Sequence, residues 1–146
     1  VTTQLCTFYL GRDRLGIPAS DVSEVLRLGQ ATPVPLAPSG VVGLVNLRGR
    51  ISTVVDLRVR LGRRPARSRD RRPIGVVLRS RRDVVSLLVD RIGDVLEVDE
   101  RAFEPPPETV PEPARSLISG TYKLEKGLVL VLDTEKAVPN YEESAE

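Results

Sequence analysis

Apolar residues in this chain come in short runs of Val, Leu and Ile, and Gly or Pro stands between the runs. That pattern predicts many short strands in a sandwich or barrel, not long helices. Strands are expected near 4–10, 14–17, 24–28, 41–46, 51–57, 74–79, 84–89, 93–98 and 127–132. Segment 20–28, SDVSEVLRL, carries two signals. Val22, Val25 and Leu26 recur at helical spacing, and Ser20 or Asp21 can cap a helix start. A helical turn running into a strand satisfies both. Asp133 to Val138 predicts one more helix, stopped at Pro139. The acidic residues 140–146 are expected to fray. TPVPLAP at 32–38 and FEPPPETVPEP at 103–113 predict rigid, extended connectors.

Length and composition narrow the class. The chain has 146 residues, enough for one compact domain that needs no disulfide or metal staple. Its single cysteine, Cys6, sits in the apolar run LCTFYL and reads as a small core residue. No apolar run reaches the ~20 residues of a membrane-spanning helix, and the N-terminus shows no signal-peptide pattern, so a soluble cytoplasmic protein is expected. There is no His, Trp or Met. That removes His-based triads and leaves a poor ligand set for a metal. No Walker loop, GxGxxG or GxSxG motif is present. Asp99 and Glu100 read as a solvated turn. The composition thus points away from an enzyme, and no cofactor is expected.

One charge feature stands out. GRRPARSRDRRP at 62–73 holds six arginines, Arg63, Arg64, Arg67, Arg69, Arg71 and Arg72, against the single acid Asp70. A nucleic-acid patch is the sharp reading. A solvated loop is the favoured one, because the net charge is only +2 and no aromatic interleaves the arginines.

The stretch GLVNLRGRISTVVDLRVRLG at 43–62 resembles the hallmark segment of the CheW-like proteins of bacterial chemotaxis. LGIPASDVSEVLRL at 15–28 is similar to that family's early strand, turn and strand. PVPLAPSGVVGLVNLRG matches its Pro-rich approach, SLLVDRIGDVLEVD at 86–99 its Val-Asp segment, and ISGTYKLEKGLVLVLDTEKAV at 118–138 its closing hairpin and helix. The matches run in family order along nearly the whole chain. The resemblance implies an all-β fold with short helices, in which two SH3-like five-stranded β-barrels pack together. Residues 1–139 would form the domain: barrel one about 1–61 plus the C-terminal element, barrel two about 62–135. It implies a non-enzymatic adaptor without cofactors. Its partners would be the cytoplasmic tip of a chemoreceptor and the regulatory domain of a CheA-type histidine kinase, at membrane-associated receptor arrays. A coupling protein of a non-flagellar receptor–kinase pathway is the alternative within the same fold. Thr53 departs from the family, standing where Pro is common, so its strand is expected to pair more regularly.

By the same resemblance, Val22, Glu24 and Arg48 match receptor-contact positions. Val22 would give apolar contact, and Glu24 and Arg48 polar contacts to the receptor or to each other. Glu24 could instead close a capping box with Asp21. Asn46 and Gly49 suit a tight turn that holds Arg48, since both tolerate positive φ. Asp56 and Arg58, two apart on an expected strand, read as a structural ion pair, and Asp90 reads as structural too. The kinase is expected on barrel two, with strands 74–79 and 84–89 apolar enough on both faces to permit an interface. No contact residue is assigned to it.

Overall fold

The computed structural model describes residues 1–65, 72–79 and 83–139. The expected acidic tail and the centre of the arginine loop, 66–71, lie outside the described residues. The described residues form ten strands. They are β1 (Thr2–Leu10), β2 (Asp13–Pro18), β3 (Val22–Arg27), β4 (Val41–Leu47), β5 (Arg50–Asp56), β6 (Ile74–Leu78), β7 (Val84–Val89), β8 (Arg91–Asp99), β9 (Ile118–Leu124) and β10 (Gly127–Leu132). Three one-turn helices accompany them: α1 (Leu57–Arg60), α2 (Ala114–Leu117) and α3 (Thr134–Ala137). A 3-10 turn at Ala19–Asp21 leads straight into β3, as the mixed signal of 20–28 required. Every strand expected from the apolar runs is present. β9 has no counterpart among them, because Gly120 and Lys123 interrupt its apolar pattern.

The strands form two five-stranded sheets. Sheet A has the order β8-β1-β2-β10-β9 and sheet B the order β3-β6-β7-β5-β4. The chain therefore does not divide at 61/62 as expected. Sheet B is one continuous piece from β3 to β7, and sheet A joins the N-terminal hairpin to the last three strands. A cut in sequence could not reveal this, because each sheet is closed by a non-local parallel pairing. β2 takes β10 with Leu15 opposite Leu130, and β7 takes β5 with Val85 opposite Thr53. Thr53 pairs on both sides, also with Leu44, but its strand is not regular throughout: one step on, opposite Val54 and Val55, the β4 register shifts between Val41 and Gly43.

The two sheets repeat one plan. Across each sheet the pairings run antiparallel, antiparallel, parallel, antiparallel. The β4–β5 hairpin and the β9–β10 hairpin correspond residue for residue. Gly43 stands before Asp56 with the same spacing as Gly120 before Asp133, and each aspartate caps the helix that follows its strand. At each glycine a connector crosses tightly over the hairpin. Thr32 exchanges two backbone hydrogen bonds with Leu44, and Glu104 exchanges two with Thr121. A Cβ at Gly43 would collide with the Thr32 carbonyl, and one at Gly120 with the Phe103 ring and the Glu104 carbonyl. In chain order sheet B reads β3 to β7, and its counterpart reads β8, β9, β10, β1, β2.

The apolar side chains fall into three clusters. Each sheet has a small one of its own: Leu5, Val98, Tyr122, Val129 and Val131 in sheet A, and Leu28, Val45 and Val54 in sheet B. The largest lies between the sheets. There Phe8, Leu15, Ile17 and Leu132 of sheet A meet Val55, Val76, Leu87 and Val89 of sheet B. Burying each such side chain is worth about 1.5–3 kcal/mol, so this cluster is the main glue between the halves. Cys6 packs against it half-buried, and burial pushes its thiol pKa up, away from the reactive thiolate.

Candidate functional site

The loop between β4 and β5 has two residues, Arg48 and Gly49, between the paired Leu47 and Arg50. Both have positive φ, 54° and 85°, as a tight two-residue hairpin turn demands. From the sequence, positive φ is expected at Asn46 and Gly49. In the structure it falls on Arg48 and Gly49. Asn46 stays in the strand, opposite Ile51, and its side-chain oxygen accepts the Gly49 N–H at 2.8 Å. Asn46 and Gly49 thus brace the turn as expected, by a different division of labour.

Arg48 points out from this tip and meets Glu24 of β3 at 3.0 Å. Its side chain is 79% exposed, against 29% for Glu24. β3 and β4 are opposite edges of sheet B, so the ion pair ties one edge to the hairpin at the other. Glu24 lies two residues inside a strand, and it pairs with Arg48 rather than closing a capping box with Asp21. Val22 opens β3 and is half-buried against the cluster between the sheets. Of the three residues matched to receptor contact, two touch each other and the third sits at the junction of the sheets.

Asp56 and Arg58 do not form the expected side-chain pair. The strand ends at Asp56 and α1 begins at Leu57, so the two-residue period no longer applies. Asp56 is a helix cap whose carboxylate accepts the Arg58 backbone N–H at 3.0 Å. The Arg58 guanidinium turns to Asp90, with Nε at 2.9 Å from Oδ1 and a second, short bond from the other fork nitrogen. Asp90 also accepts the Gly11 N–H at 2.6 Å. Burial alone would raise the Asp90 pKa. The bonds from Arg58 and Gly11 and the charges of Arg58 and Arg63 outweigh it, so the pKa is lowered. The same fork raises the pKa of Arg58.

Arg63, first of the loop arginines, is occupied inside the molecule. It donates to the Leu10 carbonyl at 3.1 Å and pairs with Asp13. The nucleic-acid reading thereby loses one of its six cations. Asp99 likewise has a structural task, capping the turn at Glu100–Ala102 and pairing with Arg101 at 2.9 Å.

Strands β6 and β7 do not offer the apolar surface expected for a second partner. They lie in the middle of sheet B and are largely buried. Exposed apolar side chains lie elsewhere, among them Val25, Val42 and Ile51 on sheet B, and Ile92, Val95 and Leu128 on sheet A, with Phe103 beside it. Alternation alone would have flagged Val25 and Ile51, had the core-facing register of β3 and β5 been known.

The family model described as CheW-like domain matches residues 4–142. A chemotaxis protein CheW of Rhizobium meliloti is 32% identical over 97% of this chain and 91% of its own length. One from Treponema pallidum is 31% identical over 91% of this chain and 80% of its own. The crystal structure of a scaffolding protein CheW from Thermoanaerobacter tengcongensis superposes with a TM-score of 0.80, at 26% identity over 91% of this chain and 90% of that one. Full-length family match, relatives and shared architecture agree: the chain belongs to the CheW-like domain family, and it is a non-enzymatic scaffold of chemotaxis signalling.

Proposed function

We propose that the chain couples a chemoreceptor tip to the regulatory domain of a CheA-type histidine kinase, as a cytoplasmic protein recruited to membrane-associated receptor arrays. The observation that carries the receptor half is the braced hairpin tip. A side chain as exposed as Arg48 is held in a fixed place by Glu24, by the turn and by the Asn46 bond. The receptor tip is a helical hairpin, and a helix laid along a groove needs apolar anchors and polar groups that fix its orientation. Val22 supplies the first at the sheet junction. Glu24 and Arg48 supply the second. The kinase half is assigned to sheet A, on the exposed apolar side chains Ile92, Val95 and Leu128. An exposed aliphatic patch of that kind can form the apolar centre of a protein interface.

Calorimetric titration of a receptor-tip fragment and of the kinase regulatory domain tests both halves. Wild type should bind both. Arg48→Ala and Glu24→Ala should weaken only the receptor, and Val95→Asp only the kinase domain. Loss of both partners by all three variants would reject the assignment of separate faces.

A further inference from the structure

The segment that follows β5 reaches across to the other half of the molecule three times. Arg58 forks onto Asp90, which sits where the chain passes from β7 of sheet B into β8 of sheet A, and the same carboxylate holds the β1–β2 turn of sheet A through Gly11. Arg60 donates to the Ala137 carbonyl at 3.0 Å and to the Lys136 carbonyl at 2.6 Å, at the C-terminal end of α3. Arg63 donates to Leu10 and pairs with Asp13 in that same β1–β2 turn. All three side chains are half-buried.

The second crossover, between β2 and β3, is held differently. There, among the described residues, Thr134 Oγ1 donates to the Asp21 carboxylate at 3.4 Å. The position that corresponds to Arg58 under the repeat is Glu135, directly after Thr134, and it brings no cation to that side.

The apolar cluster between the sheets holds them together without regard to direction. Charge-assisted bonds from a planar fork are directional and fix an angle as well as a distance. We propose that Arg58, seconded by Arg60 and Arg63, is a positioning residue: it sets the orientation of sheet A against sheet B, and so the shape of the junction between the sheets at which Val22 stands. The effect on docking rests on the receptor reading above. The effect on orientation does not.

The test separates the two. Spin labels on Arg50→Cys and Lys126→Cys, in a Cys6→Ser background, mark the hairpin tips of the two sheets, and pulsed dipolar spectroscopy reads the distance between them. Unsubstituted at 58 and 90, the chain should give one narrow distance. Arg58→Gln and Asp90→Asn, checked as folded by circular dichroism, should broaden or shift it. Arg58→Lys keeps the charge and gives up the fork, so it should behave like Arg58→Gln. An unchanged distance in the folded Gln and Asn variants, or full rescue by Lys, overturns the proposal. In parallel, receptor-tip affinity of the Arg58→Gln chain should fall about tenfold, which corresponds to ~1.4 kcal/mol. A broadened distance with unaltered affinity overturns the docking half. Failure of the wild-type chain to bind the tip rejects the receptor reading and leaves the distance result standing.

Discussion

At the scale of single residues, Arg48 is the position where local preference and use disagree. A non-glycine residue at left-handed φ costs about 1 kcal/mol or more, and Asn-Gly is what such a turn favours. The Glu24 bond returns little of that cost, since exposed ion pairs contribute roughly 0–1 kcal/mol. Arg48→Asn is therefore expected to leave the melting free energy unchanged to within about 1 kcal/mol while receptor binding drops. Thermal melts and titration of one preparation check both. Gly43 and Gly120 behave oppositely, because the backbone above them leaves no room for a methyl group. Gly43→Ala should destabilise by about 2 kcal/mol or more, measured by urea unfolding. Arg48 was legible in the sequence because a short motif names it. The partner of Arg58 was not, because Asp90 comes 32 positions later and sequence spacing says nothing of such distances.

At the scale of elements, strand-Asp-helix recurs as a unit. Asp56 accepts one backbone N–H of α1, and Asp133 accepts two of α3, from Glu135 at 3.1 Å and Lys136 at 3.2 Å. Neither helix exceeds one turn, so the cap supplies much of what keeps it formed. Asp133→Ala should cost about 1 kcal/mol and loosen α3 selectively, which amide exchange at Lys136 and Ala137 would show. Asp133 was readable as a cap because helix-forming residues follow it and Pro139 stops them. Asp56 was not, because Leu57, Arg58 and Val59 continue an apolar alternation that fits a strand equally well. β9 escaped for the converse reason. Its glycine and lysine break the apolar run, while its partner β10 and the Glu104 bridge supply the pairing that makes it a strand.

At the scale of the whole molecule, two copies of one sheet plan meet across an apolar seam, pinned by arginines from one side. The pin makes stability depend on acid. The Asp90 pKa is lower in the folded chain than in the unfolded one. Its contribution is therefore full above the ordinary aspartate value of about 3.9 and is lost as pH falls through the lower folded value. Asp90→Asn should flatten that acid limb in a series of melts while leaving other carboxylates to titrate. The architecture was legible as many short strands and, through the family likeness, as two five-stranded units. Which strands share a sheet was not, because the first hairpin pairs with the last strands and only the folded chain brings them together. In the proposed function one molecule joins receptor and kinase at the same time. This is tested most directly by sedimenting vesicles that display a receptor tip, with the kinase regulatory domain in solution. The domain should pellet only when the chain is present, and Arg48→Ala should leave it in the supernatant. Equal pelleting with and without the chain would contradict it.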